Sequence, residues 1–412
     1  MNKKIKLIAV IMIFSIMTLI TGCSSSGNEL FSAFSKQNSI KTMETATDLK
    51  IALDISGLSA REQNNPELQK ALKILNNLNF KVKGKTIQNE DKTLAQNQFD
   101  ISMDLNGTTV STKMWSNIDF TGDTPVQKQI FKLPAILSES LPSQYKGKDY
   151  LVNDTWKTSS LNSSVSPESI RKIFDITRNF QATMRNFLKV FVANSNLGFE
   201  IVKSQGTKVI DGQTVSVYQI KLDNESLKAL VKYTVNGLLD NKMFVDMLKN
   251  YFTELLQTQM SNSPAGVDSV SQLSKMIMNF DSTFSIAKLF INKLLDAFQN
   301  VNFLGDKGIV IDYAVNKDGY IVNESGTVDL NLDTNSIITA LTKLDPIKYR
   351  QQEKAEQIVV KMCFDFNTDT TNINQDMTIK FPEVNENNSI NIADIQKSRT
   401  DLNNDFKSKL TD

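Results

Sequence analysis

A chain of 412 residues has room for one large domain or two to three ordinary ones, and 40% hydrophobic against 22% charged residues supplies the apolar content of a packed core. The 46 basic and 45 acidic residues leave a net charge of +1, so no basic excess exists to neutralise a phosphate backbone and no nucleic-acid partner is expected. Histidine is absent, which excludes Ser-His-Asp and Cys-His catalysis, HExxH zinc sites and every His-ligated metal.

The chain opens with Lys3, Lys4 and Lys6, an apolar stretch from Leu7 to Ile20 broken only by Ser15 and Thr18, and then Thr21, Gly22 and Cys23. A basic end, a short apolar core and small residues describe an export signal over residues 1–22, and the stretch is shorter than the roughly 20 apolar residues of a membrane span. Ile20-Thr21-Gly22-Cys23 resembles the lipobox of bacterial lipoproteins. That resemblance implies a diacylglycerol on the Cys23 thiol, cleavage before it, and attachment to the extracytoplasmic face of the cell membrane. Loss of residues 1–22 removes three lysines and no acid, leaving 43 basic against 45 acidic residues. Cys363 is then the one thiol besides the anchor, so no internal disulfide is expected, and its apolar surroundings predict a buried, inert group. Residues 23–39 are read as a tether, Ser24-Ser25-Ser26-Gly27-Asn28, and the start of a first helix.

From residue 40, strand patterns come first. Leu49, Ile51, Leu53 and Ile55 alternate, as do Phe80 and Val82, and then Phe99, Ile101, Met103 and Leu105. Asn106-Gly107, Asp211-Gly212 and Lys317-Asp318-Gly319 each separate two such runs and predict hairpins, because their residues tolerate positive φ. A last pair, Val360 to Phe366 and Met377 to Phe381, is predicted to close against Pro382. Helical stripes interrupt the strands. Pro167-Glu168 opens one that runs through Phe180, Met184 and Phe187. Leu227 to Leu256 form a second, broken at Ser263-Pro264, and Leu273 to Phe298 a third. The expected fold is α+β: about eleven largely antiparallel strands in one large curved sheet, with helices packed on its concave side. Residues 40–395 are expected to form one domain with a helical insertion at about 224–300, followed by a polar tail over 396–412.

Motifs for chemistry fall away on inspection. Gly84-Lys85-Thr86 has Asn79 where a phosphate loop needs glycine. Ser285-Ile286-Ala287-Lys288 has the S-x-x-K spacing, but no K-T-G accompanies it. Asp365, Asn367, Asp369 and Asp376 have EF-hand spacing, with Thr370 where glycine is required. No catalytic residue, metal or cofactor is expected. The 23 Phe and 14 Met, many on the helical stripes, suit an adaptable apolar cavity, and the same stripes suit a plain core.

The order of elements resembles the LolA/LppX-like lipoprotein superfamily. Three stretches carry the likeness: Lys41-Thr42-Met43-Glu44 entering the first strand, Asp211-Gly212-Gln213-Thr214-Val215-Ser216-Val217-Tyr218 leading to Leu222-Asp223 and Leu227-Lys228, and Met377-Thr378-Ile379-Lys380-Phe381-Pro382 before the tail. The resemblance implies a half-barrel around an apolar cavity and lipid or lipoprotein carriage, and it brings no catalytic residues. The chain is about twice the usual size and is closer to clostridial-type surface lipoproteins than to a defined carrier. A non-enzymatic lipoprotein follows as the expectation, with a lipid-like ligand lined by Phe244, Met247, Phe252, Phe284 and Phe290. The alternative is an envelope structural or interaction protein with a filled core; sequence names no protein partner. A single acyl chain holds a membrane only marginally, so more than one is expected on Cys23. Cys23→Ser is expected to abolish palmitate labelling and to accumulate uncleaved precursor; labelling unchanged in the variant rejects the anchor.

Overall fold

The computed structural model describes residues 25–392 apart from 77, 106, 123–125, 140, 142, 155–166, 195–196, 261–274, 276–277 and 345–356. Cys23, the turn residue Asn106, the helix breaker at 263–266 and the polar tail lie outside the described residues. The fold is mixed α+β. Twelve strands join in one open sheet: β1 (Thr42–Ser56), β2 (Leu78–Gln88), β3 (Leu94–Leu105), β4 (Thr108–Asp119), β5 (Val126–Lys132), β6 (Tyr150–Asp154), β7 (Val202–Ile210), β8 (Gln213–Leu222), β9 (Leu304–Asn316), β10 (Ile321–Asp333), β11 (Val359–Thr371) and β12 (Ser389–Asn391). Their hydrogen-bonded order is β12-β6-β5-β4-β3-β2-β1-β11-β10-β9-β8-β7. β3 to β6 and β7 to β10 pair antiparallel, as the hairpins predict, while β12 joins β6 in parallel.

The helices among the described residues are α1 (Ser25–Gln37), α2 (Ala60–Gln63), α3 (Pro66–Leu75), α4 (Ala135–Glu139), α5 (Pro167–Ala193), α6 (Asn224–Leu239), α7 (Lys242–Met260), α8 (Phe280–Phe298) and α9 (Thr334–Leu344). α5 starts at the proline that the sequence marks. α6 is held at its start by Asp223, whose carboxylate accepts from the Ser226 backbone while the Ser226 hydroxyl reaches back to Asp223 N–H. At the turn between β7 and β8, Asp211 (φ 48°) and Gly212 (φ 77°) both take positive φ, the type I′ signature that the Asp-Gly pair predicts.

Three expectations are corrected. The stretch read as a flexible tether is helical from Ser25 on, because Gly27, Leu30 and Ala33 are buried along one side of α1. Residues 377–381 form no strand; Ile379 and Phe381 instead pack side-on against Trp115, Ile130 and Val152. The helices do not all lie directly on the sheet: α6 packs on β8, and α7 and α8 pack on α6.

The chain forms two compact units with interleaved segments. Among the described residues, one comprises 25–38, 49–79 and 172–368, and the other comprises 39–48, 80–171 and 369–392. The first unit's main core lies under α1. Leu30, fully buried, and Ala33 meet Tyr218, Ile220, Tyr313 and Ile321 of β8, β9 and β10. Burying a leucine of this kind is worth about 1.5–3 kcal/mol. Phe34 meets the Tyr313 ring edge-on at 5.0 Å, and Gln37 Nε2 donates to the Ile321 carbonyl at 3.0 Å.

Two carboxylates satisfy the tyrosine hydroxyls of this core. Tyr218 Oη donates to Glu29 of α1, and Tyr313 bonds Glu324, its cross-strand partner on β10. Burial raises both phenols above the ordinary tyrosine value, and burial raises Glu324 above 4.5 although the Tyr313 bond opposes it. A folded acid with a raised value binds more protons than the unfolded chain between the two values, so stability falls as pH rises through that window. Glu324→Gln keeps an acceptor for Tyr313 and removes the charge. Its thermal midpoint is expected to match the parent below pH 4.5 and to exceed it at pH 7; a midpoint difference independent of pH contradicts this account.

Candidate functional site

The apolar side chains of the helical region gather around α6, which carries two clusters on different sides. Phe187 and Val192 of α5, Leu238 of α6, and Phe244 and Met247 of α7 are buried together. Phe31, Phe180, Met184, Leu188, Phe191 and Leu248 surround them. The aromatic rings contact one another directly: Phe187 lies 5.7 Å from Phe244 and 5.8 Å from Phe191, and Phe180 lies 4.2 Å from Tyr251. Such pairs add about 0.5–1.5 kcal/mol beyond their buried area. Val235 and Leu239 form the second cluster with Val231 and with Phe284, Ile291 and Leu295 of α8.

The five residues expected to line a ligand therefore separate. Phe244 and Met247 share the first cluster, exposed by only 3% and 8%. Phe284 belongs to the second, where it stacks on Phe280 at 5.8 Å. Phe252 is half-buried with its ring 5.6 Å from Tyr251. Phe290 is half-buried in neither cluster, on the side of α8 that also carries the exposed Ile286 and Leu289.

The remaining sequence candidates sit in structural roles. Ser285 Oγ donates to the Asp281 carbonyl at 2.8 Å and Lys288 pairs with Asp240, so the S-x-x-K residues serve α8 and its contact to α6. Lys85 pairs with Glu44 at 2.8 Å and Thr86 donates to Asn97 at 2.9 Å, both from within β2. Asp365, Asn367 and Asp369 lie along β11 and not in a loop, with Thr327 bonding Asp365 and Asn323 bonding Asn367. Among the described residues no three Asp, Glu or Cys side chains gather as metal ligands. Cys363 is half-buried on β11, and burial, then Asp365, raises its thiol above the ordinary value. A neutral thiol of this kind is a poor nucleophile.

Sequence reasoning missed a polar cleft of about 470 Å³ in the second unit, beside β5, β6 and β12. Lys128 and Asp154, cross-strand partners on β5 and β6, stand on one side of it. Their signal in the sequence is weak, since the short strands that hold them lack a clean alternation.

No helix among the described residues is long and apolar enough to cross a membrane. Comparison with protein-family models and with curated proteins finds no match.

Truncating Phe244 leaves a void among Phe187, Leu238 and Met247. Phe244→Ala is expected to cost about 3–5 kcal/mol in denaturant unfolding, and Phe290→Ala much less. Equal costs at the two positions contradict this packing.

Proposed function

We propose that the chain is a non-enzymatic lipoprotein, anchored through Cys23 on the extracytoplasmic face of the cell membrane, that binds an apolar, lipid-like ligand among its helices. The observation that carries the reading is the gathering of phenylalanine and methionine side chains from α5, α7 and α8 around the Val and Leu side chains of α6. Met and Phe repack around differing acyl shapes. In this reading the open sheet takes the LolA/LppX-like half-barrel form, with α6 on its concave side and α7 and α8 packed on α6, and Phe252, Phe284 and Phe290, the less buried of the five, flank the entry. The lipobox pattern supports the anchor, and only Ser24 separates Cys23 from the first residue of α1.

A second reading, an envelope interaction protein with a filled core, draws on a specific observation: Phe244 and Met247 are already buried by protein neighbours. Solvent extraction of the purified protein followed by mass spectrometry separates the two. Stoichiometric acyl lipid, reduced several-fold in the Phe252→Ala, Phe284→Ala double variant at unchanged helix content, is the expected outcome. A folded protein that carries no lipid and takes up none from vesicles favours the interaction protein.

A further inference from the structure

The polar cleft of the second unit is a built site of a different chemistry. Its floor carries Val152, which packs with Trp115 and Ile130, so the floor is fixed by the core beneath. One wall is the 383–389 loop, which is braced by its own side chains. Asn388 Oδ1 accepts from Asn385 N–H at 2.8 Å, Asn388 Nδ2 donates to the Glu383 carbonyl at 3.0 Å, and Ser389 Oγ donates to the Asn385 carbonyl at 2.7 Å. The loop is tied to the segment before β6, where the Asp149 and Tyr150 N–H groups both donate to the Asn388 carbonyl, at 2.9 and 3.1 Å, and Lys148 Nζ donates to the Glu386 carbonyl. The wall is therefore in place without a ligand.

The lining decides the ligand class. Two lysines, Lys128 and Lys148, face two carboxylates, Asp154 and Glu386, so the cleft has no net charge to select an anion or a cation. Gln144, Asn385 and Asn391 contribute amides, and Ser389 and Tyr145 contribute hydroxyls. Groups that both donate and accept match a ligand whose own groups do the same, and the Tyr145 ring offers a flat face for an apolar C–H surface.

The register extends the site beyond the cleft. Lys128 and Asp154 continue a row of cross-strand partners, Gln96 of β3, Asn117 of β4, Lys128 of β5 and Asp154 of β6. All four are half-buried, and Gln96 Nε2 donates to Asn117 Oδ1 at 3.4 Å. Neighbouring strands lie about 4.8 Å apart, so the four side chains of the row span about 14 Å, a reach suited to a short oligosaccharide. We propose that this row and cleft bind a neutral oligosaccharide of about three rings, with Asp154 and the amides bonding its hydroxyls.

The inference is independent of the apolar-ligand reading and is tested separately. Full-length protein in detergent micelles is titrated with cellotriose, maltotriose, chitotriose and inorganic phosphate while the indole N–H resonances are followed by NMR. Trp115 packs on the cleft floor, the chain has 2 Trp, and Trp115→Phe assigns the signal. A saturable shift of the Trp115 resonance with at least one trisaccharide is expected. Binding should weaken at least tenfold in Asp154→Asn, in Lys128→Gln and in Tyr145→Ala, and persist in Gln129→Ala, whose side chain lies on the other face of β5. Absence of a shift with all three sugars, sugar binding unaffected in all three cleft variants, or a shift reproduced by phosphate each overturns the proposal. Because Tyr145 lies outside the strands, its variant keeps the test decisive where a strand substitution disturbs folding.

Discussion

Two tyrosine hydroxyls buried on one side of β8 and β9 set the terms for the first unit. A phenol removed from water without a hydrogen-bond partner costs on the order of 1–3 kcal/mol, so Tyr218 and Tyr313 each require an acceptor. Tyr313 finds Glu324 within the sheet, and Tyr218 finds Glu29, which only α1 can bring. Leu30, one residue along, is then delivered into the core that the tyrosines line, and Phe34, one turn later, meets the Tyr313 ring. Polar satisfaction and apolar burial thus demand the same placement of one helix. That agreement orders the chain from Ser25, where composition alone reads as a loose tether.

The helical region follows a different logic. α6 has apolar side chains on more than one side, Leu238 toward Phe187 and Phe244, and Val235 and Leu239 toward Phe284. A helix of that kind cannot be covered by the sheet alone, which explains why α7 and α8 pack on α6. The tyrosine core, in contrast, is fixed by hydrogen bonds as well as by packing.

Much of this was legible in the residues. Turns announced themselves where chemistry demanded positive φ, as at Asp211-Gly212, and a helix start where a proline opens an amphipathic stripe, as at Pro167. What stayed hidden was set by irregularity. Between Ile321 and Asn323 the β9–β10 register shifts, so Ile321 and Glu324 pair with Val315 and Tyr313, two residues apart and on one face of β9. Strict alternation places Ile321 and Glu324 on opposite faces and so conceals the buried carboxylate. The Met377 to Phe381 run alternates as a strand does, yet its apolar side chains are satisfied by Trp115 and Ile130 without a ladder. The five phenylalanine and methionine candidates were legible as buried or half-buried helix residues. Their division between two clusters was not, since periodicity gives the face of a helix and not the identity of its neighbour.

The two units also differ in how they treat polar residues, and that difference has a physical root in register. In β3 to β6, rows of partners align amides with amides and lysine with aspartate: Gln96, Asn117, Lys128 and Asp154 on one face, Asn97, Ser116, Gln129 and Asn153 on the other. A sheet with polar rows on both faces buries little apolar area there and depends on Trp115, Ile130 and Val152, one row further on, for its core. Its register is correspondingly weakly specified by hydrophobicity, and partner selection falls to side-chain hydrogen bonds such as Asn153 to Gln129 and Thr86 to Asn97. Amides that serve as register marks keep donor and acceptor capacity to spare, since each has more hydrogen-bonding positions than one cross-strand partner fills. The chemistry that fixes these strands is therefore the same chemistry that a hydroxyl-rich ligand reads.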